Sequence, residues 1–328
     1  MIDTSDRTIT KIIQPFIFFK MATIDLFSRD EAFNFLKDNL NVKDVEQRLS
    51  MDRKNLLDDI ATNMQIHLVF NNMRLLSLPQ ELRQRPSFDE IKSDLKSGIG
   101  GLCYNLNVAA YYLIKAIGFD AALAHGTCTS STKFHDNHVF VYIRNVEKNG
   151  DVFLLEAGFG FPTFRVINLD FEKESPIYID SFIEYKYIKH EGQILRMHRK
   201  GELVRGATCN TSDGVNFFLD GWRRFYFADP ERFTNSIEEF YAPFDQVFQN
   251  PKASPFHLTF RAVGFPGKKA VMVINDKTLI ENDQGELVST PIEGGDEGIL
   301  QAVHKYFPVI PQELSRAALA NWRASLTS

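Results

Sequence analysis

The spacing of apolar residues changes at Gly118. Upstream of it, Leu106, Ala110, Leu113 and Ile117 recur at the 3.6-residue period of a helix running from Cys103 to Ile117, which Gly118 is placed to end. Downstream the period becomes two, and Phe119–Ala124, His138–Arg144 and Asp151–Ala157 read as strands. A chain that is helical first and β afterwards is neither a bundle nor a doubly wound α/β sheet. Its class is α+β.

The same reading extends in both directions. From about Ser28 to Leu95 the chain reads as helical: Asp30-Glu31 opens a segment with Ala32, Phe35, Leu36 and Leu40 on one face. Ser87-Phe88-Asp89-Glu90 after Pro86 is a capping box for a second helix carrying Ile91 and Leu95. Ile177–Tyr187 and Val215–Tyr226 read as further strands of a curled antiparallel sheet or barrel. Ser236-Ile237-Glu238-Glu239 reads as another capping box, and Phe256–Ala262, Ala270–Ile274 and Thr278–Glu281 as strands. A last amphipathic helix is expected from near Asp296 to just before Pro308. These patterns divide the 328 residues into an appendage (1–22), a helical domain (23–118), a β-barrel domain (119–228) and an α/β domain (229–328).

Composition excludes several classes of function. The 37 basic and 42 acidic residues give a net charge of -5, so no basic surface is available to make nucleic acid the main partner. The apolar run Ile12–Phe19 is broken by Gln14 and Pro15 and is too short to span a membrane. Met1 to Asp6 lack the basic start of a signal peptide, so residues 1–22 read as an appendage or a docking arm rather than a targeting segment. Cys103, Cys128 and Cys209 form no disulfide framework, and the expected setting is a reducing cytosol.

Cys103 follows Gly100-Gly101-Leu102 and falls in the first turn of its helix, where unpaired amides and the helix dipole favour a thiolate. It reads equally as a small buried side chain filling a helix start. His138 opens one strand, and Glu156 closes its partner just before Ala157-Gly158-Phe159-Gly160. An imidazole near Cys103 would take its proton, and a carboxylate would fix the tautomer of that imidazole. Hairpin register discriminates here. A two-residue Asn149-Gly150 turn would put Glu156 opposite Ile143 and on the wrong face, whereas a five-residue loop Val146–Gly150 puts it opposite Phe140, one diagonal step from His138. Two other constellations are weaker. Cys128, His135 and His138 match no common zinc spacing. Gly264-Phe265-Pro266-Gly267-Lys268-Lys269 resembles a phosphate loop only loosely and reads as a hairpin turn with solvated lysines.

Taken together, Gly100-Gly101-Leu102-Cys103-Tyr104-Asn105-Leu106-Asn107, Gly118-Phe119, His138 and Glu156-Ala157-Gly158-Phe159-Gly160 resemble the arylamine N-acetyltransferases, over about residues 25–310. That family shows R-G-G-x-C-x-E/Q-x-N, a later histidine and V-D-x-G-F-G. The resemblance implies a helical bundle, a β-barrel and an α/β lid, with a papain-like Cys-His-carboxylate arrangement. It implies acetyl transfer from acetyl-CoA, a co-substrate rather than a permanent cofactor, to an aromatic amine or hydrazine by a ping-pong route. Cys103 would be the nucleophile, His138 its base and Glu156 the carboxylate. Phe159 would line the acceptor pocket, and Gly158 and Gly160 would lie near the pantetheine arm. A thiol hydrolase or amidase with the same residues, and a non-catalytic homologue binding CoA or aromatic ligands, are the alternatives.

Three positions depart from the family pattern: Glu156 in place of aspartate, Ile99 in place of arginine, and Asn105 in place of an acidic or amide residue. Glutamate adds one methylene, about 1.5 Å of reach, and retains the carboxylate. Loss of the arginine together with its carboxylate partner costs less than loss of either alone, which points to a repacked, less polar support beneath Cys103. The effects of Ile99→Arg and Asn105→Glu on Cys103 thiol reactivity should therefore be coupled, and independent effects would contradict this repacking.

Overall fold

The computed structural model describes residues 25–128, 134–199 and 217–326. The segment 1–22, Cys209 and the start of the Val215–Tyr226 run lie outside these residues. The N-terminal part contains α1 (Arg29–Asn34), α2 (Val45–Met51), α3 (Arg53–His67), a two-residue strand β1 (Phe70–Asn71), α4 (Met73–Ser77), α5 (Phe88–Lys96) and α6 (Cys103–Ala116). The Ser87/Glu90 capping box forms as expected. A second box, Ser28/Glu31, opens α1 one turn ahead of Ala32. Among the described residues no helix is long and apolar enough to cross a membrane.

The middle of the chain forms β2 (Asp120–Cys128), β3 (His138–Arg144), β4 (Val152–Leu155), β5 (Ile167–Asn168), β6 (Tyr178–Asp180), β7 (Ile183–His190), β8 (Gln193–Arg199), β9 (Phe218–Leu219) and β10 (Trp222–Thr234). These pair antiparallel in the order β5-β4-β3-β2-β10-β8-β7-β6, with β9 also on β10. The result is a curled, half-barrel sheet in which β5 and β6 remain the outer strands among the described residues. The continuous strand expected over Ile177–Tyr187 is a hairpin instead, turning at Ser181, whose φ is +55°. The Val215–Tyr226 run likewise turns at Asp220-Gly221, with φ of +49° and +82°. No glycine marked the first turn, so periodicity alone carried across it.

The last part holds α7 (Tyr241–Gln249), β11 (Arg261–Gly264), β12 (Val271–Ile274), β13 (Lys277–Glu281), β14 (Leu287–Pro291), α8 (Gly295–Tyr306) and α9 (Gln312–Ser325). Strand β1 reaches across to pair with β11, completing a second sheet in the order β1-β11-β12-β13-β14. The expected helix at Asp296 is present, but it is not the last, since α9 follows and buries Ala318, Leu319 and Trp322 against Phe260 and Val303. The Ser236 capping box does not form. Thr234 Oγ1 bonds both Glu239 and the Ser236 amide, and the helix proper begins at Tyr241, where Pro243 falls in the first turn. The expected strand Phe256–Ala262 starts only at Arg261, because Pro255–His257 form a 3-10 turn. Gly264–Lys269 is a turn joining β11 to β12, in which Lys269 pairs with Asp283.

One apolar core runs from α1 and α3 through α6 to the inner faces of β3 and β4 and on to α7. The β3–β4 hairpin opens on the wide loop that the site requires. Arg144 pairs with Val152 and Val141 with Leu155, a register that places Glu156 opposite Phe140. Asp151 builds this loop by accepting the amides of Val146, Glu147 and Lys148 at 2.8, 2.9 and 2.9 Å, while Asn145 adopts φ +56° and caps Gly150. Burial works against the Asp151 charge, but the three amides outweigh it and hold its carboxyl below the usual range. Asp151→Ala should cost about 2–3 kcal/mol in denaturant unfolding and also slow Cys103 alkylation, since the loop sets the register that carries Glu156. A stability loss with unchanged alkylation would separate the loop from the site.

Candidate active site

Cys103 is placed by two glycines that no other residue could replace. Gly100 (φ +76°) lies so close to β1 that a Cβ would fall 2.2 Å from the Val69 carbonyl oxygen. Gly101 (φ +149°) bonds in both directions with β1, and a Cβ there would meet the Asn105 side chain at 2.5 Å. The chain then enters α6 at Leu102 with no side-chain cap, leaving the first-turn amides around Cys103 without the usual acceptor. Ile99 and Asn105 are both buried. The Ile99 carbonyl accepts from Asn71 Nδ2 at 2.7 Å, and Asn105 lines a small cleft with Asn71, Arg74 and Glu90.

His138 and Glu156 meet as the five-residue loop requires. Glu156 Oε2 lies 2.5 Å from His138 Nε2, and both side chains are sealed from solvent. The other carboxylate oxygen accepts from Asn107 Nδ2 at 2.7 Å and from the Gly158 amide at 3.0 Å. The extra methylene of glutamate is thus absorbed, because the carboxylate folds back onto its own loop while still reaching the imidazole. Asn107 stands one helical turn after Cys103. It also donates to the Val139 carbonyl and accepts the Ala157 amide, so it ties α6 to both strands of the hairpin. Gln65 of α3 holds the same loop through the carbonyls of Glu156 and Thr163 and the Thr163 amide.

Glu156 holds Nε2, and the thiols of Cys103 and Cys128 interact with the same His138 ring. Burial by itself would lower the His138 pKa, but Glu156 and the two thiols outweigh it and raise the imidazole well above its ordinary value. Burial raises the Cys128 thiol, and the neighbouring His138 works against that rise. Among the described residues no cluster of His, Cys, Asp or Glu could hold a metal ion; Cys128 bonds to His138, and His135 packs against Phe227 instead.

Gly158 sits against α6, where a Cβ would come within 3.0 Å of the Cys103 Cα. Gly160 (φ +75°) lies over the Phe70 ring. Between them Phe159 packs edge-on to His138 with ring centres 5.6 Å apart, and it is flanked by Phe161, Phe225 and Tyr226. Phe159 and Phe161 are half-buried, giving the site an aromatic wall. Surface clefts of about 840 Å³ beside Phe33 and Val45 and of about 490 Å³ beside Phe27 and Tyr112 lie elsewhere. The sequence reading missed Gln65, Phe161, Arg196, Phe225 and Tyr226 at this site, and it assigned no role to Asn107. Only Asn107 carried a local signal, being four residues from Cys103 on one helical face.

Gly158→Val should fold but lose at least ~10-fold in Cys103 alkylation rate, because the added methyls press on the turn that carries Cys103. Asn107→Ala should produce a comparable loss by leaving Glu156 short of a donor, and a wild-type rate in either variant would remove that contact from the site.

A family model described as N-acetyltransferase matches residues 55–310. Among solved structures, the chain is similar to the arylamine N-acetyltransferase of Mycobacterium marinum (TM-score 0.67, 14% identity, 88% of this chain and 98% of that one). The same enzyme in complex with CoA matches with TM-score 0.67 and 15% identity, over 87% of this chain and 97% of that one. The arylamine N-acetyltransferase of Salmonella typhimurium matches with TM-score 0.65 and 15% identity, over 88% of this chain and 97% of that one. Comparison with curated proteins gives no match. With more than half of its length matched by that family model and its fold shared with these enzymes, the chain belongs to the arylamine N-acetyltransferase family.

Proposed function

We propose that the protein transfers an acetyl group from acetyl-CoA to an arylamine or arylhydrazine through a thioester on Cys103. The observation that carries this reading is the sealed Glu156–His138 contact, on an imidazole that also interacts with a cysteine at a helix start. In the first half-reaction His138 takes the Cys103 proton, the sulfur attacks the acetyl carbonyl, and CoA leaves as a thiol with the proton returned from the imidazolium. Exchange of one thioester for another is nearly neutral in free energy. In the second half-reaction the amine attacks the Cys103 thioester, loses its proton to His138, and the Cys103 thiol is released. Glu156 fixes the imidazole tautomer and stabilises its charged form in both steps.

The aromatic wall of Phe159, Phe161 and Phe225 favours a flat aromatic acceptor over water, and with it transfer over hydrolysis. Gly158 and Gly160 keep the loop beside Cys103 low enough for the pantetheine arm to approach. Binding of CoA by a solved relative of the same fold supports acetyl-CoA as co-substrate. A reducing cytosol suits a site that depends on a free Cys103 thiol.

Intact-mass spectrometry after mixing the protein with acetyl-CoA alone should show one acetyl adduct, absent in Cys103→Ala and discharged by an added arylamine. An adduct cleared quickly by water would favour a hydrolase, and CoA binding without an adduct would mark a non-catalytic homologue. Glu156→Gln should slow adduct formation by about 100-fold or more, because the amide cannot stabilise imidazolium.

A further inference from the structure

Strand β8 carries a cation into the interior of the half-barrel. Arg196 is fully buried, and among the described residues it makes no ion pair. Across the sheet it stands opposite Tyr187 on one side and Tyr226 on the other. Its donors are occupied by neutral acceptors: Nε by His198 Nε2 at 2.7 Å, one terminal nitrogen by Thr163 Oγ1 at 2.5 Å, and the other by the Pro162 carbonyl at 2.9 Å. The guanidinium lies 4.2 Å from the Tyr185 ring centre, 5.2 Å from that of Phe159 and 6.0 Å from that of Tyr226. Two of these rings, Phe159 and Tyr226, also pack on His138, at 5.6 and 5.7 Å.

A buried charge without a counter-ion is costly, and hydrogen bonds to neutral groups offset only part of that cost. The three tyrosines do not supply the missing charge, because burial raises each phenol above its ordinary value and keeps it neutral. His198 is neutral as well, lowered by burial and by Arg196 and Arg223. Asp180, which bonds the Tyr185 hydroxyl, is paired with Arg165. Glu156 bonds the His138 ring on which Phe159 and Tyr226 pack, so one layer of rings separates its carboxylate from the Arg196 guanidinium. The groups facing His138 itself are Cys103 of α6, Cys128 of β2, Glu156 after β4 and Tyr226 of β10.

We propose that Arg196 is a positioning residue for this site: its charge, held behind Phe159 and Tyr226, balances the buried Glu156 carboxylate and sets the pH at which Cys103 becomes reactive. This rests on the reading of Cys103 as the nucleophile. The sign follows from charge alone. With Arg196 and Glu156 cancelling, a thiolate–imidazolium pair forms in a neutral surrounding. Without Arg196 the site holds an uncompensated negative charge, and forming a further anion at Cys103 requires a higher pH.

The test is the pH profile of Cys103 alkylation by iodoacetamide, read by intact mass with Cys103→Ala as background, in otherwise full-length protein. In Arg196→Met the acidic limb should move up by about one pH unit, equivalent to roughly tenfold slower alkylation near neutral pH. Arg196→Lys keeps the charge but not the three-way hydrogen bonding, and its limb should stay within about 0.3 unit of wild type. An unmoved limb in Arg196→Met, or equal shifts in Met and Lys variants, would overturn the proposal. Should Arg196→Met not fold, Arg196→Gln carries the test: it removes the charge but keeps an amide donor for Thr163 or Pro162, and an unmoved limb there would overturn the proposal. Because no acyl donor or amine is used, absence of an acetyl adduct would defeat the proposed transfer reaction and leave this inference standing. An unreactive Cys103 in the wild type would defeat both.

Discussion

The contact between Glu156 and His138 is the constraint around which the rest of the site is arranged. A carboxylate sealed from water costs several kcal/mol unless its oxygens are fully engaged. Here they are: His138 takes one oxygen, and Asn107 and the Gly158 amide share the other. Each donor comes from a different part of the chain, and each depends on further structure. His138 and Glu156 need the hairpin register set by Asp151, Asn107 needs α6 entered at Gly101, and the Gly158 amide needs a glycine against the Cys103 backbone. Satisfying one buried charge therefore locks helix, hairpin and loop into a single arrangement, and that arrangement brings the thiol to the imidazole.

The loop 157–164 links this polar centre to its aromatic surroundings. Gln65 fixes it from the helical side and Arg196 from the sheet. Phe159 is then the element shared by every part of the site, lying beside His138, beside Arg196 and beside Phe161. An aromatic ring suits this position because its face attracts the cation while its edge packs against the neighbouring rings. The chemistry and the binding surface are thus not separable modules.

Much of this was legible locally. The Ser87 box, the helix from Cys103 and the strand at His138 carry standard cap, dipole and period-two signals that neighbouring residues alone produce. Strand β8 escaped notice for a physical reason. Both of its faces are buried, Leu195 and Met197 on one and Arg196 and His198 on the other, so the usual alternation of apolar inside and polar outside is absent. Helix α9 was missed because its apolar contribution is small, Ala318, Leu319 and Trp322 among polar residues, and becomes a core only against the second sheet.

What the sequence determined by itself was the order of helix, sheet and mixed segment, the position of Cys103 at a helix start, and the requirement that the β3–β4 loop be wide if His138 and Glu156 were to share a face. Those follow from backbone preference and periodicity, which act over a few residues. The wide loop itself is closed locally, by three amides converging on Asp151, whereas tertiary structure decided which distant groups complete the site. Gln65, Asn107 and Arg196 lie 91, 49 and 33–34 positions from the partners they hold. No local rule links residues so far apart. Their selection reflects the cost of leaving buried polar and charged groups unpaired, a cost that exists only once the chain has closed around them.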